Sequence, residues 1–345
     1  MNQAAHNSSP VLIRVENLVK HFPKRGGVLN RVIAKVHALN DVSFEIRKGE
    51  TLGVVGESGC GKSTLGKVLV RLHEPTSGSI FYDGDDITNL SARELRPIRK
   101  NMQMIFQDPN SSLNPRMSVG ATIREIAKFH GTIPANQSTN DYVAELLQTV
   151  GMRPDVITKY PHEFSGGQKQ RIGIARALAV KPEFIIADEP VSALDVSIQA
   201  QVLNLMMDLK NDFNLTMLFI SHDLKVIDHF CDRMLVMYLG KIVEEMPCEN
   251  IHGVALHPYT KALLSANPIT DPDQRSTLKV LEGEVPSPYN PPPGCPFVTR
   301  CPIKVERCQT EHPPLVQIGE NHRVACWEVN SPQLKPVPDA SVNQV

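Results

Sequence analysis

Eight consecutive residues, Gly56-Glu57-Ser58-Gly59-Cys60-Gly61-Lys62-Ser63, have the types and spacing to hold a chain of phosphates. They follow the pattern G-x-x-x-x-G-K-[ST], the P-loop. Glycines let the backbone curl until successive N–H groups point at phosphate oxygens, and the N-terminus of a following helix adds positive potential. Lys62 has the reach to meet β- and γ-phosphates, and the Ser63 hydroxyl can ligate Mg²⁺. The flanks agree: Thr51-Leu52-Gly53-Val54-Val55 reads as a buried strand and residues 64–72 as a helix. A glycine-rich turn without a ligand is the bland alternative, and that strand and helix context disfavours it. A bound nucleotide with Mg²⁺ is expected.

Other groups gather where such a ligand needs them. Asp188-Glu189 follows the apolar run Phe184-Ile185-Ile186-Ala187, so both carboxylates fall at a strand's carboxyl end. Open α/β sheets bind ligands at that end. Asp188 is placed to enter the Mg²⁺ shell. Pro190 pushes Glu189 out of the helical region. An extended Glu189 would point away from Asp188, as required if one carboxylate serves metal and the other a water. Gln107 also ends an apolar strand, where its amide could meet Mg²⁺ or the attacking water; alone it reads as a solvated loop residue. His222 ends another and could donate to a γ-phosphate; alone it reads as a histidine beside a helix cap. Phe22 could stack on an adenine, though a lone Phe is more often core. Ser165-Gly166-Gly167-Gln168 is a second glycine-rich helix start, without a lysine. Two phosphate-binding helix starts in one chain suggest that one serves a nucleotide held by another subunit.

Composition bounds what these groups serve. A chain of 345 residues suggests about two domains and a sizeable core. With 36 Lys+Arg against 37 Asp+Glu the net charge is −1, which argues against a nucleic-acid surface. No apolar run approaches a membrane span, and residues 1–10 are polar, with no signal-peptide core. A cytoplasmic chain is expected, whose role at a membrane comes through a partner.

Along the chain, Val11-Leu12-Ile13-Arg14-Val15 opens a strand and residues 23–37 form a basic loop or hairpin. Val42, Phe44 and Ile46 alternate with polar residues as in a half-buried strand. Ser91-Ala92-Arg93-Glu94 is a capping box. Residues 119–129 and 141–150 read as helices inserted in an α/β core, and a strand-rich pattern resumes at residue 184. Alternating strands and helices argue for a mostly parallel sheet covered on both faces. From Pro268 onward lie 14 of the 27 prolines, in a loop-rich appendix too short of core to stand alone.

The order Gly56–Ser63, Gln107, Phe164–Gln168, Asp188-Glu189, Ser192-Ala193-Leu194-Asp195 and His222 resembles that of the ABC transporter ATPases, over residues 11–250. The motifs resemble Walker A, Q-loop, signature, Walker B, D-loop and H-loop. Phe164 stands where the signature usually has Leu, and Phe22 where the family often has Tyr. The resemblance implies an α/β P-loop NTPase of ABC ATPase type. Its mostly parallel core sheet would carry N-terminal antiparallel strands and a helical subdomain at about 108–168. ATP would sit on Phe22, Gly56, Glu57, Ser58, Gly59, Cys60, Gly61, Lys62, Ser63 and Thr64. Ser165, Gly167, Gln168 and Asp195 would complete a partner's site. Glu189 would act as general base, with His222 and Gln107 positioning the γ-phosphate. Ser63, Gln107 and Asp188 would hold Mg²⁺.

Gln107-Asp108-Pro109, Ser112-Leu113-Asn114-Pro115, Tyr160-Pro161-His162-Glu163-Phe164 and His257-Pro258-Tyr259-Thr260, with a cysteine-bearing tail, look like the dipeptide/oligopeptide importer ATPases, most like the second, F-type subunit. This implies a C-terminal domain at 251–330, a flexible tail at 331–345 after it, and a disordered tail at 1–10. It also implies a paralogous ATPase partner, two transmembrane permeases and indirectly a solute-binding protein, with the chain peripheral on the cytoplasmic face of the inner membrane. Dipeptides, oligopeptides, glutathione and nickel complexes all remain open as solutes. A DNA-repair ABC ATPase is disfavoured because only 57 residues separate Gln107 from Ser165, too few for its usual long insertion.

Four of the seven cysteines, Cys295, Cys301, Cys308 and Cys326, are spaced C-x₅-C-x₆-C-x₁₇-C. Clustered thiols in a reducing compartment suggest metal before disulfide. Structural zinc usually takes tight C-x₂₋₄-C knuckles, whereas looser spacing suits a cubane. The resemblance agrees, since peptide-importer ATPases with this tail can carry a [4Fe-4S] cluster. That cluster is favoured over Zn²⁺, as a staple for the appendix; Cys60, Cys231 and Cys248 are expected to take no part.

Overall fold

The computed structural model describes residues 9–26, 31–266 and 283–330. The expected tails, apart from residues 9 and 10, residues 27–30 of the basic stretch and residues 267–282 of the expected C-terminal domain lie outside these. Two sheets organise the chain. A four-stranded antiparallel sheet has the order β2-β1-β4-β5, from Val11–Gly26 (β1), Arg31–Arg47 (β2), Ser77–Tyr82 (β4) and Asp85–Asp86 (β5). The second has eight strands in the order β11-β12-β10-β9-β3-β8-β7-β6. Its parallel part is Thr51–Val55 (β3), Met102–Ile105 (β6), Phe184–Asp188 (β7), Thr216–Ile220 (β8) and Arg233–Tyr238 (β9). Antiparallel to β9 follow Lys241–Pro247 (β10), then His322–Val324 (β12) and Val316–Gly319 (β11).

Every residue of β3, β7 and β8 is buried, as the apolar runs TLGVV, FIIAD and TMLFI require of strands covered on both faces. One face packs on helix α1 (Lys62–Leu69) and the antiparallel sheet, through Leu65, Val68, Phe44 and Ile80. The other packs on α2 (Val119–His130), α3 (Thr139–Thr149), α4 (Gly166–Leu178) and α5 (Val196–Phe213). Ser118 and Ser138 accept from backbone N–H groups at the starts of α2 and α3. The Ser91–Glu94 capping box forms with both bonds. The basic stretch takes the hairpin alternative: β1 and β2 pair out to Gly26 and Arg31. The polar tips carry no hydrophobic alternation, and only the ladder reveals them as strand.

The segment after residue 283 takes its core from the rest of the molecule. Phe297, 0 % exposed, meets Tyr238 at 5.3 Å and Tyr259 at 5.4 Å between ring centroids. The Glu244 carboxylate on β10 accepts from the N–H groups of Leu256 and His257, and His322 Nε2 lies 2.9 Å from it. Arg233 pairs with Glu50 and Glu245, and Arg323 of β12 pairs with Glu245, closing a partly buried ionic network.

Burial lowers the pKa of His257 to about 4, against the opposing charge of Glu244, and its Nδ1 accepts the Tyr259 N–H. Burial likewise lowers His312 to about 4. Both rings are neutral when folded and take up protons near 6.5 when unfolded. Stability is therefore full above about pH 6.5 and falls as pH drops towards 4, by up to ~3 kcal/mol for His257. Thermal melts from pH 7.5 to 4.5 should show this decline. His257→Asn, which keeps an acceptor for Tyr259, should make it shallower and leave the share of His312.

Candidate nucleotide site

The P-loop leaves the end of β3 and is shaped by three glycines with positive φ: Gly56 (151°), Gly59 (78°) and Gly61 (109°). Two of these positions are closed to a side chain. A Cβ on Gly56 would meet the Met237 carbonyl oxygen at 2.2 Å, and one on Gly61 the Ala38 oxygen at 2.3 Å. Gly240, in the β9–β10 turn, donates its N–H to the Cys60 oxygen at 2.8 Å, seating the loop on the neighbouring hairpin. Gly61 stands before α1 without any side-chain cap, so the helix's first N–H groups face the loop. Ser58 and Gly59 are exposed at its crown, while Cys60 is buried and its thiol pKa is raised by that burial. Lys62 is buried, and its Nζ donates to the oxygens of Gly56 (2.7 Å) and Glu57 (3.1 Å). Thr64 follows, half-buried in the helix's first turn.

Ser63 Oγ donates to Asp188 Oδ1 at 2.7 Å. Asp188 is 3 % exposed, and desolvation raises its pKa against the Ser63 hydrogen bond. A desolvated carboxylate beside a serine hydroxyl is a donor pair suited to a hard divalent cation. One residue on, Glu189 turns the other way. Its Oε2 accepts from Gln107 Nε2 at 3.0 Å and lies 3.3 Å from His222 Nδ1. Three sequence positions far apart thus meet at one carboxylate oxygen, beside the phosphate loop.

One expectation about Glu189 is corrected. It is not extended: φ is 46°, in the left-handed region that non-glycine residues rarely enter. Its N–H is held by the Ile220 oxygen of β8, while its own oxygen accepts from Ser192 N–H and Oγ. This short turn outweighs the preference set by Pro190.

The remaining positions lie apart from this group. Ser165 caps α4 in a reciprocal box with Gln168, and both are exposed. Gly167 has no room for a side chain, because a Cβ would lie 2.4 Å from Ile198 of α5. Asp195 precedes α5 with no side-chain cap bond. The Phe22 ring meets His73 edge-on at 5.3 Å and the Lys20 ammonium at 4.8 Å. The four late cysteines are free thiols, and Cys301 is the most exposed of them. Burial pushes Cys295 up to about 12, and the charges of Cys308, Cys301 and Cys326 add to this. Among the described residues no three His, Cys, Asp or Glu are spaced to hold a single ion. Two contacts were not foreseen: Tyr259 and Arg300 both reach Glu57 from the C-terminal part of the chain. The His-Pro-Tyr-Thr motif flagged Tyr259 without its task, and nothing local flags Arg300.

A mostly parallel sheet with a phosphate loop after β3, and with Asp188, Glu189, Gln107 and His222 gathered at neighbouring strand ends, is the frame of a P-loop NTPase. The profile described as "ABC transporter" matches residues 39–192, and "Oligopeptide/dipeptide transporter, C-terminal region" matches residues 243–308. The oligopeptide transport ATP-binding protein AppF of Bacillus subtilis is 52 % identical over 91 % of this chain and 96 % of its own length. The probable peptide ABC transporter ATP-binding protein y4tS of Sinorhizobium fredii is 52 % identical over 92 % of this chain and 90 % of its own. Among solved structures, the ATP-binding cassette MJ0796, described as a dimer bound to ADP and Pi, has TM-score 0.61 and 28 % identity, covering 69 % of this chain and 99 % of that one. The chain belongs to the ABC transporter ATP-binding proteins of the oligopeptide/dipeptide class. It is an ATPase of that family, and among the described residues no helix is long and apolar enough to cross a membrane.

Gly56→Ala should break the site at its root. Its Cβ has a backbone oxygen 2.2 Å away and a φ of 151° to adopt. The expected loss is at least ~2 kcal/mol of stability, seen by urea titration, together with loss of ATP binding.

Proposed function

We propose that this chain is the ATP-hydrolysing subunit of a bacterial importer of di- and oligopeptides. The observation that carries the reading is the meeting of Gln107 and His222 on Glu189, next to the Ser63–Asp188 pair. Lys62 and the loop N–H groups from Gly56 to Thr64 take the phosphates, and Phe22 stacks on adenine. Ser63, Asp188 and Gln107 hold Mg²⁺. Glu189 is general base for the attacking water, and His222 and Gln107 set the γ-phosphate and that water in line.

Ser165, Gly167, Gln168 and Asp195 serve an ATP held by a partner. In support, Ser165 and Gln168 are exposed at the start of α4. The partner is a paralogous ATPase, and closure of the pair around γ-phosphate drives two transmembrane permeases fed by a solute-binding protein. The chain then works on the cytoplasmic face of the membrane, held there by the permeases.

The four late thiols hold a [4Fe-4S] cluster in this reading. Cys295, Cys308 and Cys326 are buried and Cys301 is half-buried, and all four are free thiols. Their sequence spacing, C-x₅-C-x₆-C-x₁₇-C, is looser than the tight knuckles usual for structural zinc, which favours a cluster. The cluster would supply Fe–S bonds that tie the segment's turns together.

Glu189→Gln should keep ATP binding and lower turnover of the assembled transporter by ~10²–10⁴, trapping a closed ATPase pair. Near-normal turnover would remove Glu189 from this role. Protein purified without oxygen should be brown with about four irons per chain, and Cys301→Ser should bleach it. Colourless protein with stoichiometric zinc would replace the cluster with an ion.

A further inference from the structure

We propose that Arg300 and Tyr259 are positioning residues of the ATP site, through which the C-terminal segment holds Glu57 of the P-loop in its working place. All three polar groups of Glu57 are engaged. Its N–H donates to Tyr259 Oη at 2.8 Å. Its carbonyl oxygen accepts from Lys62 Nζ at 3.1 Å. Its carboxylate takes both arms of the Arg300 guanidinium, at 2.7 and 3.1 Å.

The carboxylate needs such a partner. It sits one residue after Gly56, in a loop whose N–H groups face phosphate, where an unpaired negative charge repels a polyphosphate. The pair is sheltered, with Arg300 6 % and Glu57 27 % exposed. Bidentate geometry fixes direction as well as charge. Arg300 is itself held: its Nη1 lies 3.4 Å from Tyr238 Oη, and its guanidinium carbon lies 6.0 Å from that ring's centroid. Tyr238 and Tyr259 pack at 4.7 Å, and Phe297, three residues before Arg300, packs on both. One aromatic cluster therefore sets both contacts to Glu57. When Lys62 turns to the phosphates, its bond to the Glu57 oxygen is given up. Tyr259 and Arg300 then hold Glu57, with the Cys60 N–H still on its oxygen at 3.3 Å.

This rests on the P-loop being the ATP site, and the experiment separates the two. Binding of N-methylanthraniloyl-ATP with Mg²⁺ is followed by fluorescence on the full chain, with Lys62→Ala as the control that loses binding. If the wild-type chain binds no probe, the nucleotide reading fails. Arg300→Ala should weaken binding about tenfold, the effect of one uncompensated charge at ~10 Å and an effective dielectric of ~20. Arg300→Lys, which keeps the charge without the fork, should fall between. Adding Glu57→Gln to Arg300→Ala should restore affinity to within about twofold, since the repelling charge is gone. In the assembled transporter, KM for ATP should rise in Arg300→Ala while kcat holds. Unchanged affinity in Arg300→Ala overturns the proposal. So does a double variant no better than the single one. Should Arg300→Ala fail to fold, the proposal stands or falls on Arg300→Lys with and without Glu57→Gln.

Discussion

A carboxylate with almost no access to water is the constraint on which the site depends. Asp188 ends a strand whose five residues are all buried, and desolvation works against its charge. Only the Ser63 hydroxyl and the field of nearby lysines offset this, with Lys67 acting more strongly than Lys62. Such a group is stable as an anion only where a cation and hydrogen-bond donors are organised around it. The strand order provides that organisation. β6, β7, β8 and β3 lie side by side and parallel, so their carboxyl ends form one row. From that row come Gln107, the Asp188-Glu189 pair, His222 and the P-loop, four pieces of sequence that only a parallel sheet brings together.

Much of this row was legible in the sequence because each piece carries a local signal. An apolar run followed by a polar residue marks a strand end, and the glycine spacing marks a loop that no other residue could form. The Cβ clashes at Gly56 and Gly61 show why. The turn at Glu189 was misjudged because Pro190 speaks for one dihedral preference, while Ile220 and Ser192, distant or downstream, decide the outcome. Of the two readings of residues 23–37, loop or hairpin, the pairing of β1 with β2 selects the hairpin; Lys24, Arg25 and Lys35 have no buried face whose alternation could have decided it.

Least legible was the part after residue 283. Its proline-rich composition reads as a loop that needs a staple, yet Phe297 enters the main core and His322–Val324 adds to the main sheet. Both depend on partners far away in sequence, Tyr238 and Glu244 among them. Arg300 reaches Glu57 across 243 positions, and no local pattern encodes such a pair. The segment is thus continuous with the catalytic unit in packing, hydrogen bonding and charge, whatever else its cysteines hold.

Hydrogen–deuterium exchange, with and without Mg²⁺ and a non-hydrolysable ATP analogue, reads that continuity directly. If the C-terminal segment is part of the ATP site, the nucleotide should slow exchange at residues 56–64 and, in the same titration, at residues 295–301 and around Tyr259. Protection confined to the P-loop, with the C-terminal peptides unchanged at saturating nucleotide, would contradict it.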